Sequence, residues 1–152
     1  MDLSALFPGR ETTSHPPPRD DLPLAKFEVV HVAPSGDEPH VYVTQGASEH
    51  GHEFLLYTPK SDPWFIDVLT SVSYYQSFYG LELGQTYKFA RGWLPGSQLN
   101  RLLLHSERVG DFVRLVPITE DEEKLVKSQG APALEARLQG ADLLAVDRAP
   151  VA

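Results

Sequence analysis

The densest group of possible metal ligands in the sequence is Glu49-His50-Gly51-His52-Glu53. Imidazole nitrogens and carboxylates are the ligands that zinc takes where thiolates are absent, and this chain has no cysteine. On a strand His50 and His52 would face the same side, but a third ligand has to come from elsewhere in the chain and no HExxH helix is present. The spacing therefore favours a polar turn that leads into a strand. A small metal-dependent hydrolase built on Glu49, His50 and His52 is the alternative.

The signatures of nucleophilic catalysis and of phosphate binding are missing from the sequence. No serine lies in a GxSxG elbow, and the glycines form neither a GxGxxG nor a GxxxxGK[ST] loop. The sequence therefore predicts a protein that is not an enzyme, with no catalytic residue and no cofactor.

Four consecutive acids, Glu120, Asp121, Glu122 and Glu123, follow Thr119 directly after an apolar stretch. Thr119 and Glu122 have the spacing of a capping box, in which each side chain accepts a hydrogen bond from the other residue's backbone N–H. Acids in the first turn of a helix are also stabilised by the helix dipole. These signals predict a helix that begins here. As a second interpretation, the acids form a surface that attracts a basic partner.

Two aromatic residues are candidates for an exposed contact surface. Asp62-Pro63 is a typical helix entrance, and it predicts a main amphipathic helix over about residues 62–79. Tyr74 lies almost opposite the apolar stripe of this helix, and Trp93 lies in a predicted loop. Because aromatic residues are enriched at interface hot spots, we count both among the predicted partner-binding residues, with packing into the core as the alternative for each. The stripe comprises Phe65, Val68, Leu69, Val72, Gln76 and Tyr79.

The remaining pattern predicts an α+β fold with a central, mostly antiparallel sheet. Gly130 ends the capped helix and Pro132 begins a second one, which gives a C-terminal capped helix pair over about residues 119–139. A last short element is expected at residues 143–146. Strands are predicted at residues 26–32, 41–44, 53–57, 85–89 and 112–118. The short apolar run at 99–105 fits a strand or a helix, and we interpret it as a strand.

The first 23 residues are rich in proline, a composition that predicts an arm ahead of a single domain formed by residues 24–152. Leu3, Leu6 and Phe7 are the apolar residues by which this arm can dock on the domain.

Thirteen basic and twenty-one acidic residues give the 152-residue chain a formal charge of −8. Without a basic patch, this charge repels phosphate backbones and anionic lipids, so neither nucleic acid nor membrane is an expected partner. No apolar run approaches the ~20 residues of a membrane helix, and the N-terminus lacks a signal-peptide pattern. The absence of cysteine agrees with a reducing compartment, and the predicted location is the cytoplasm.

Three segments of the sequence resemble the suppressor of fused family in the form of its single-domain bacterial members. They are VYVTQGAS at 41–48, PWFIDVLTSVSYY at 63–75 with the GLELGQTY that follows, and LVPITEDEEKLVKSQGAPALEARL at 115–138. The third segment, an apolar strand into a P-I-T-E-x-E turn, is the most specific of the three. The resemblance covers about residue 25 to near the C-terminus.

This resemblance implies an α+β domain without known catalytic activity. Eukaryotic relatives restrain a transcription factor by gripping a peptide of it, and bacterial relatives are frequently inferred to be immunity proteins. The expected function is therefore a non-enzymatic protein-binding module, an immunity protein that neutralises a toxin encoded by an adjacent gene. A self-associating scaffold is a further alternative, and the oligomeric state is not predicted.

Overall fold

A computed structural model describes residues 3–19, 21–89, 93, 95–144 and 148–151. Within these residues the chain forms seven β-strands, mostly antiparallel, and four α-helices, which confirms the predicted α+β class. The chain divides into two compact units, one of residues 1–81 with 108–112 and the other of residues 82–107 with 113–152.

The strands and helices have the following bounds. The helices are α1 (Leu3–Leu6), α2 (Pro63–Tyr79), α3 (Glu120–Gln129) and α4 (Ala131–Leu138), with a 3₁₀ turn at Ala47–His50. The strands are β1 (Thr12–His15), β2 (Glu28–Val32), β3 (His40–Gln45), β4 (Glu53–Thr58), β5 (Thr86–Lys88), β6 (Arg101–Val109) and β7 (Phe112–Ile118).

In the first unit, β1 to β4 lie side by side in chain order and each pair is antiparallel. The alternation of side chains along a strand sends the residues of β2 and β3 to two apolar faces. One face is covered by α2, which packs on β2, β3 and β4. The other face holds a buried cluster that includes residues of the N-terminal segment and of the 108–112 segment: Phe7, Val30, Val32, Val41, Val43, Leu55 and Phe112.

The N-terminal segment contributes a buried residue and a strand to the first unit. Phe7 is buried and Leu3 and Leu6 pack beside it, as expected for a docked arm. Thr12–His15 in addition forms β1, whose partner is β2. That residues 24–152 act as a single domain remains a prediction.

In the second unit the strand order is β7-β6-β5, and β5 and β6 are antiparallel. The predicted strand at 99–105 is confirmed as β6, and the C-terminal helix pair is confirmed as α3 and α4. Leu143 and Leu144 lie in a turn, whereas residues 145 and 146 of the expected last element lie outside the described residues. The core of this unit joins the strands to the two helices through Leu103, Val116, Ile118, Leu125, Leu134 and Leu138.

None of the helices within the described segments combines the length and the hydrophobicity needed to cross a bilayer.

Candidate protein interface

The helix α2 begins and ends at residues that suit those positions. Asp62 caps the first turn, because its carboxylate accepts a hydrogen bond from the N–H of Trp64 at 2.9 Å, and Pro63 occupies the first helical position. Gly80 follows the last turn with φ +71°, and its N–H donates to the carbonyl of Gln76. The sequence motif Asp62-Pro63 thus fixes where this helix starts.

Gln76 ties α2 to the loop between β3 and β4. Its side-chain oxygen accepts from the N–H of His52 at 2.9 Å, and its amide nitrogen donates to the carbonyl of His52 at 3.0 Å. The same nitrogen donates to the carbonyl of Ala47 at 3.3 Å. Because Gln76 is buried, these bonds hold α2 and the loop in one arrangement.

Three aromatic residues in the last two turns of α2 are exposed. The exposed fractions of Tyr75, Phe78 and Tyr79 are 39%, 59% and 76%. The prediction that Tyr79 belongs to the buried stripe is therefore wrong, because the buried residues of α2 end at Gln76. Tyr74 is half-buried. We call Tyr74, Tyr75, Phe78 and Tyr79 the aromatic surface.

The rings of the aromatic surface contact one another along the helix. The ring centroids of Tyr74 and Phe78 are 5.0 Å apart and edge-to-face, and those of Tyr75 and Tyr79 are 4.9 Å apart and tilted. Both pairs are four residues apart, which places them on neighbouring turns of one helix face. Contacts of this kind hold the rings in place and so reduce the side-chain entropy lost on binding.

A cation from the N-terminal segment already lies on one of these rings. The guanidinium of Arg19 is 4.1 Å from the ring centroid of Tyr74, within the range of a cation–π contact. Two hydrogen bonds of 2.7 Å to the carboxylate of Asp21 orient the same guanidinium. Tyr74, which the sequence singled out, is thus partly covered by the chain itself.

Trp93, the other predicted contact aromatic, is not exposed. Its exposed fraction is 0%, and its backbone N–H donates to the carbonyl of Leu99 at 2.6 Å. The alternative given for it, packing into the core, describes its position.

The four acids that were predicted to bind a partner separate into two groups in the structure. Glu120 and Asp121 are exposed. Glu123 accepts hydrogen bonds from Thr86 at 3.0 Å and from Arg101 at 3.1 Å. Glu122 has an exposed fraction of 0%. Only the first two acids of the run therefore form an exposed acidic surface.

Glu122 completes the predicted capping box and has a buried partner. Its carboxylate accepts from the N–H of Thr119 at 2.8 Å, and the hydroxyl of Thr119 accepts from the N–H of Glu122 at 3.2 Å. Arg148 binds the same carboxylate with two hydrogen bonds of 2.7 and 2.8 Å. Burial raises the pKa of Glu122, but the bonds from Arg148, Thr119 and Val151 outweigh burial and leave the pKa below its ordinary value.

The residues of the alternative metal site point to separate partners. Glu49 accepts a hydrogen bond from the N–H of Ala25, and His50 donates to the carbonyl of Pro23 at 3.1 Å. His52 makes its bonds to Gln76 through the backbone. Across the described segments, no group of three or more His, Cys, Asp or Glu side chains is placed to hold a metal. The arrangement agrees with the polar turn that the spacing favours.

Glu53 shapes this turn, a role that sequence reasoning missed. Its carboxylate accepts from the N–H groups of Gly46, Ala47 and Ser48 at 3.0–3.2 Å and from the hydroxyls of Thr44 and Ser48 at 2.7–2.8 Å. The turn borders an open cleft of about 590 Å³ that Arg108 and Asp111 also line. Because all five hydrogen bonds come from residues 44–48, the carboxylate of Glu53 stabilises the loop that leads into β4.

A half-buried histidine contact on the sheet was also missed. The Nε2 atom of His31 and the Nδ1 atom of His40 are 2.9 Å apart, and the ring of His31 stacks on Tyr42 at 4.6 Å. Burial lowers the pKa of His31, and the nearby His40, His15 and Arg10 lower it further. In the register of β2 and β3, His31 lies opposite Tyr42, and His40 is two residues away on the same face of β3. A prediction of this register would have placed the two histidines together.

The fold has relatives among solved structures. A suppressor of fused homologue from Neisseria gonorrhoeae superposes with a TM-score of 0.88 and 25% sequence identity, and the match covers 99% of this chain and 92% of the other. A chain of the Sufu–Fu complex superposes with a TM-score of 0.69 and 14% identity, over 93% of this chain and 82% of the other.

These likenesses define the class of protein to which the fold corresponds. The chain has a suppressor-of-fused-like fold, and the resemblance found from the sequence motifs is confirmed at that level. No family model and no curated protein matches the sequence.

Proposed function

We propose that the protein is a non-enzymatic binding module that contacts a protein partner through the aromatic surface on α2. The exposure of Tyr75, Phe78 and Tyr79 at 39%, 59% and 76% is the observation that carries this proposal. Apolar rings gathered on one helix face are typical of protein-binding surfaces, because their burial supplies much of the binding free energy. The Sufu–Fu complex supports it, since there a chain of like fold has a protein partner.

The more specific form of the proposal is an immunity protein that neutralises a toxin encoded by an adjacent gene and acts in the cytoplasm. It rests on the single-domain bacterial members of the family, which the sequence motifs resemble. The formal charge of −8 suits a basic toxin, because opposite net charges speed association.

Co-expression with the product of the adjacent gene tests both levels. We expect a complex that survives purification and restores growth when the partner is toxic. Phe78→Ser with Tyr79→Ser should weaken the complex by about 30-fold or more, since hot-spot truncations cost at least ~2 kcal/mol. Thr12→Ser with Thr13→Ser, on the exposed strand β1, is the control that should bind as the wild type does. Capture of the partner by the Phe78/Tyr79 variant with unchanged affinity would rule out the aromatic surface.

Glu120 and Asp121 form the second surface to which the proposal applies. Their side chains are exposed by 62% and 75%, so reversal of both to Lys should change the association rate with a basic partner more than the dissociation rate. Stopped-flow association at two salt concentrations measures this. An association rate that the reversal leaves unchanged would assign these acids to the helix terminus alone.

A further inference from the structure

The contact between Arg19 and Tyr74 shows which chemistry the aromatic surface accepts. The faces of aromatic rings carry partial negative charge, and they attract a guanidinium or an ammonium placed over them. In this protein a guanidinium lies 4.1 Å from the centroid of Tyr74. The neighbouring rings of Tyr75, Phe78 and Tyr79 are the exposed ones.

The charges on α2 itself also favour a cation. The helix α2 contains no lysine or arginine over its 17 residues, and Asp67 is its one charged residue. Its last turn has no basic residue to offset the partial negative charge at a helix C-terminus. Tyr79, the most exposed ring of the surface, is the final residue of that turn. A cation that docks here gains from the ring faces and from the helix terminus together.

We infer that the aromatic surface binds a segment of the partner protein that presents arginine or lysine side chains to Tyr75, Phe78 and Tyr79. This inference rests on the proposed function, and it names the chemistry of the partner. Arginine suits the site best, because its planar guanidinium stacks on rings and is weakly hydrated. The rings would then contribute about 2- to 5-fold each to the affinity, as expected of exposed cation–π pairs.

Two synthetic peptides test the inference with the intact protein. One carries several arginines in a flexible, uncharged sequence, and the other has citrulline, a neutral isostere, at each of those positions. We expect the arginine peptide to bind and to shift the NMR signals of the Tyr75 and Tyr79 rings, and the citrulline peptide to do neither. Equal binding of the two peptides would overturn the inference.

Variants separate ring recognition from attraction to a negatively charged protein. Tyr75→Leu with Tyr79→Leu keeps the net charge and an apolar surface but removes both ring faces, so the affinity for the arginine peptide should fall about 4- to 25-fold. Tyr75→Phe with Tyr79→Phe keeps the rings and should bind within about 2-fold of the wild type. Thermal unfolding checks that all four substitutions leave the fold intact. Equal affinities of the Leu and Phe variants would overturn the inference.

The outcome is distinguishable from failure of the proposed function. If Phe78→Ser with Tyr79→Ser abolishes capture of the natural partner while both peptides bind equally, the protein-binding role stands and the cation inference falls. A second copy of this chain is the other occupant to exclude. If the wild-type protein has the solution mass of a dimer and the Leu variant has that of a monomer, the inference would also be overturned.

Discussion

At the scale of single residues, the contact between Glu122 and Arg148 links the start of α3 to the segment 148–151. The acid completes the cap of α3, and the arginine brings the segment 148–151 against the start of that helix. Both side chains are buried. A buried ion pair adds little net stability compared with apolar residues, but removal of one partner leaves an uncompensated charge.

Arg148→Met should therefore destabilise the protein by about 3–5 kcal/mol in denaturant unfolding. Lys124→Ala, which breaks an exposed pair with Asp121, should cost no more than about 1 kcal/mol. The double variant Arg148→Met with Glu122→Gln should be more stable than Arg148→Met alone, because it no longer buries an unpaired carboxylate. A double variant less stable than Arg148→Met would contradict this interpretation.

The histidine pair predicts a pH dependence of stability. Burial, His40, His15 and Arg10 lower the pKa of folded His31 below the ordinary 6.5, so the unfolded chain takes up a proton first as the pH falls. The contribution of His31 to the unfolding free energy is thus constant well above pH 6.5 and decreases as the pH falls below it.

Denaturant unfolding between pH 8 and pH 5 measures this slope in the wild type and in His31→Gln. Other titrating groups contribute to both proteins, so the difference between the two slopes belongs to His31. We expect the variant to lose less stability toward low pH, and parallel curves would remove His31 as the source.

At the scale of elements, α2 is positioned by its cap at one end and by Gln76 near the other. The loop that Gln76 holds contains Gly51 with φ +150°, and a Cβ there would lie 2.6 Å from the side-chain oxygen of Gln76. A residue larger than glycine would displace the amide from the backbone of His52 and Ala47, and the link between helix and loop would weaken.

Gly51→Ala is expected to destabilise the protein by about 1–3 kcal/mol more than Gly80→Ala. Gly80 also has a positive φ, but a Cβ there meets nothing within 4 Å, so it controls for backbone strain. Thermal and denaturant unfolding of the two variants give the comparison. If the two substitutions cost the same, the contact with Gln76 is not what requires glycine.

Local patterns predicted most elements, because strand alternation, the Asp62-Pro63 entrance and the Thr119 cap are each set by a few adjacent residues. The strand β1 was missed because its sequence, TTSH, has no apolar alternation and pairs through its backbone with β2. The buried pair Glu122–Arg148 joins residues 26 apart, a separation at which no periodicity links them. Tyr79 was misplaced because a helical wheel cannot show where the packed part of a helix ends.

At the scale of the whole molecule, the N-terminal segment is part of the first unit's structure. Phe7 lies in the buried cluster with Val32 and Val41, and β1 hydrogen-bonds along β2. Truncation at residue 24 would therefore uncover an apolar face and leave the edge of β2 unpaired.

A variant that begins at residue 24 should unfold at a markedly lower temperature than the full chain, and β2 amides should exchange faster with solvent. Phe7→Ala alone should cost about 3–5 kcal/mol, as large-to-small changes in a core do. Thr12→Ala with Thr13→Ala keeps the backbone pairing and serves as the control. A truncated chain as stable as the full one would show that residues before 24 contribute nothing to the core.

The order of the strands has a consequence for synthesis on the ribosome. Because β1, β2, β3 and β4 pair in chain order, each strand finds its partner already made, and such sequence-local pairing is fast. The cluster that includes Phe7 also needs Phe112, which is translated more than a hundred residues later. The segment that carries Phe7 is thus made well before its core can be completed, and its apolar face stays uncovered until Phe112 has left the ribosome.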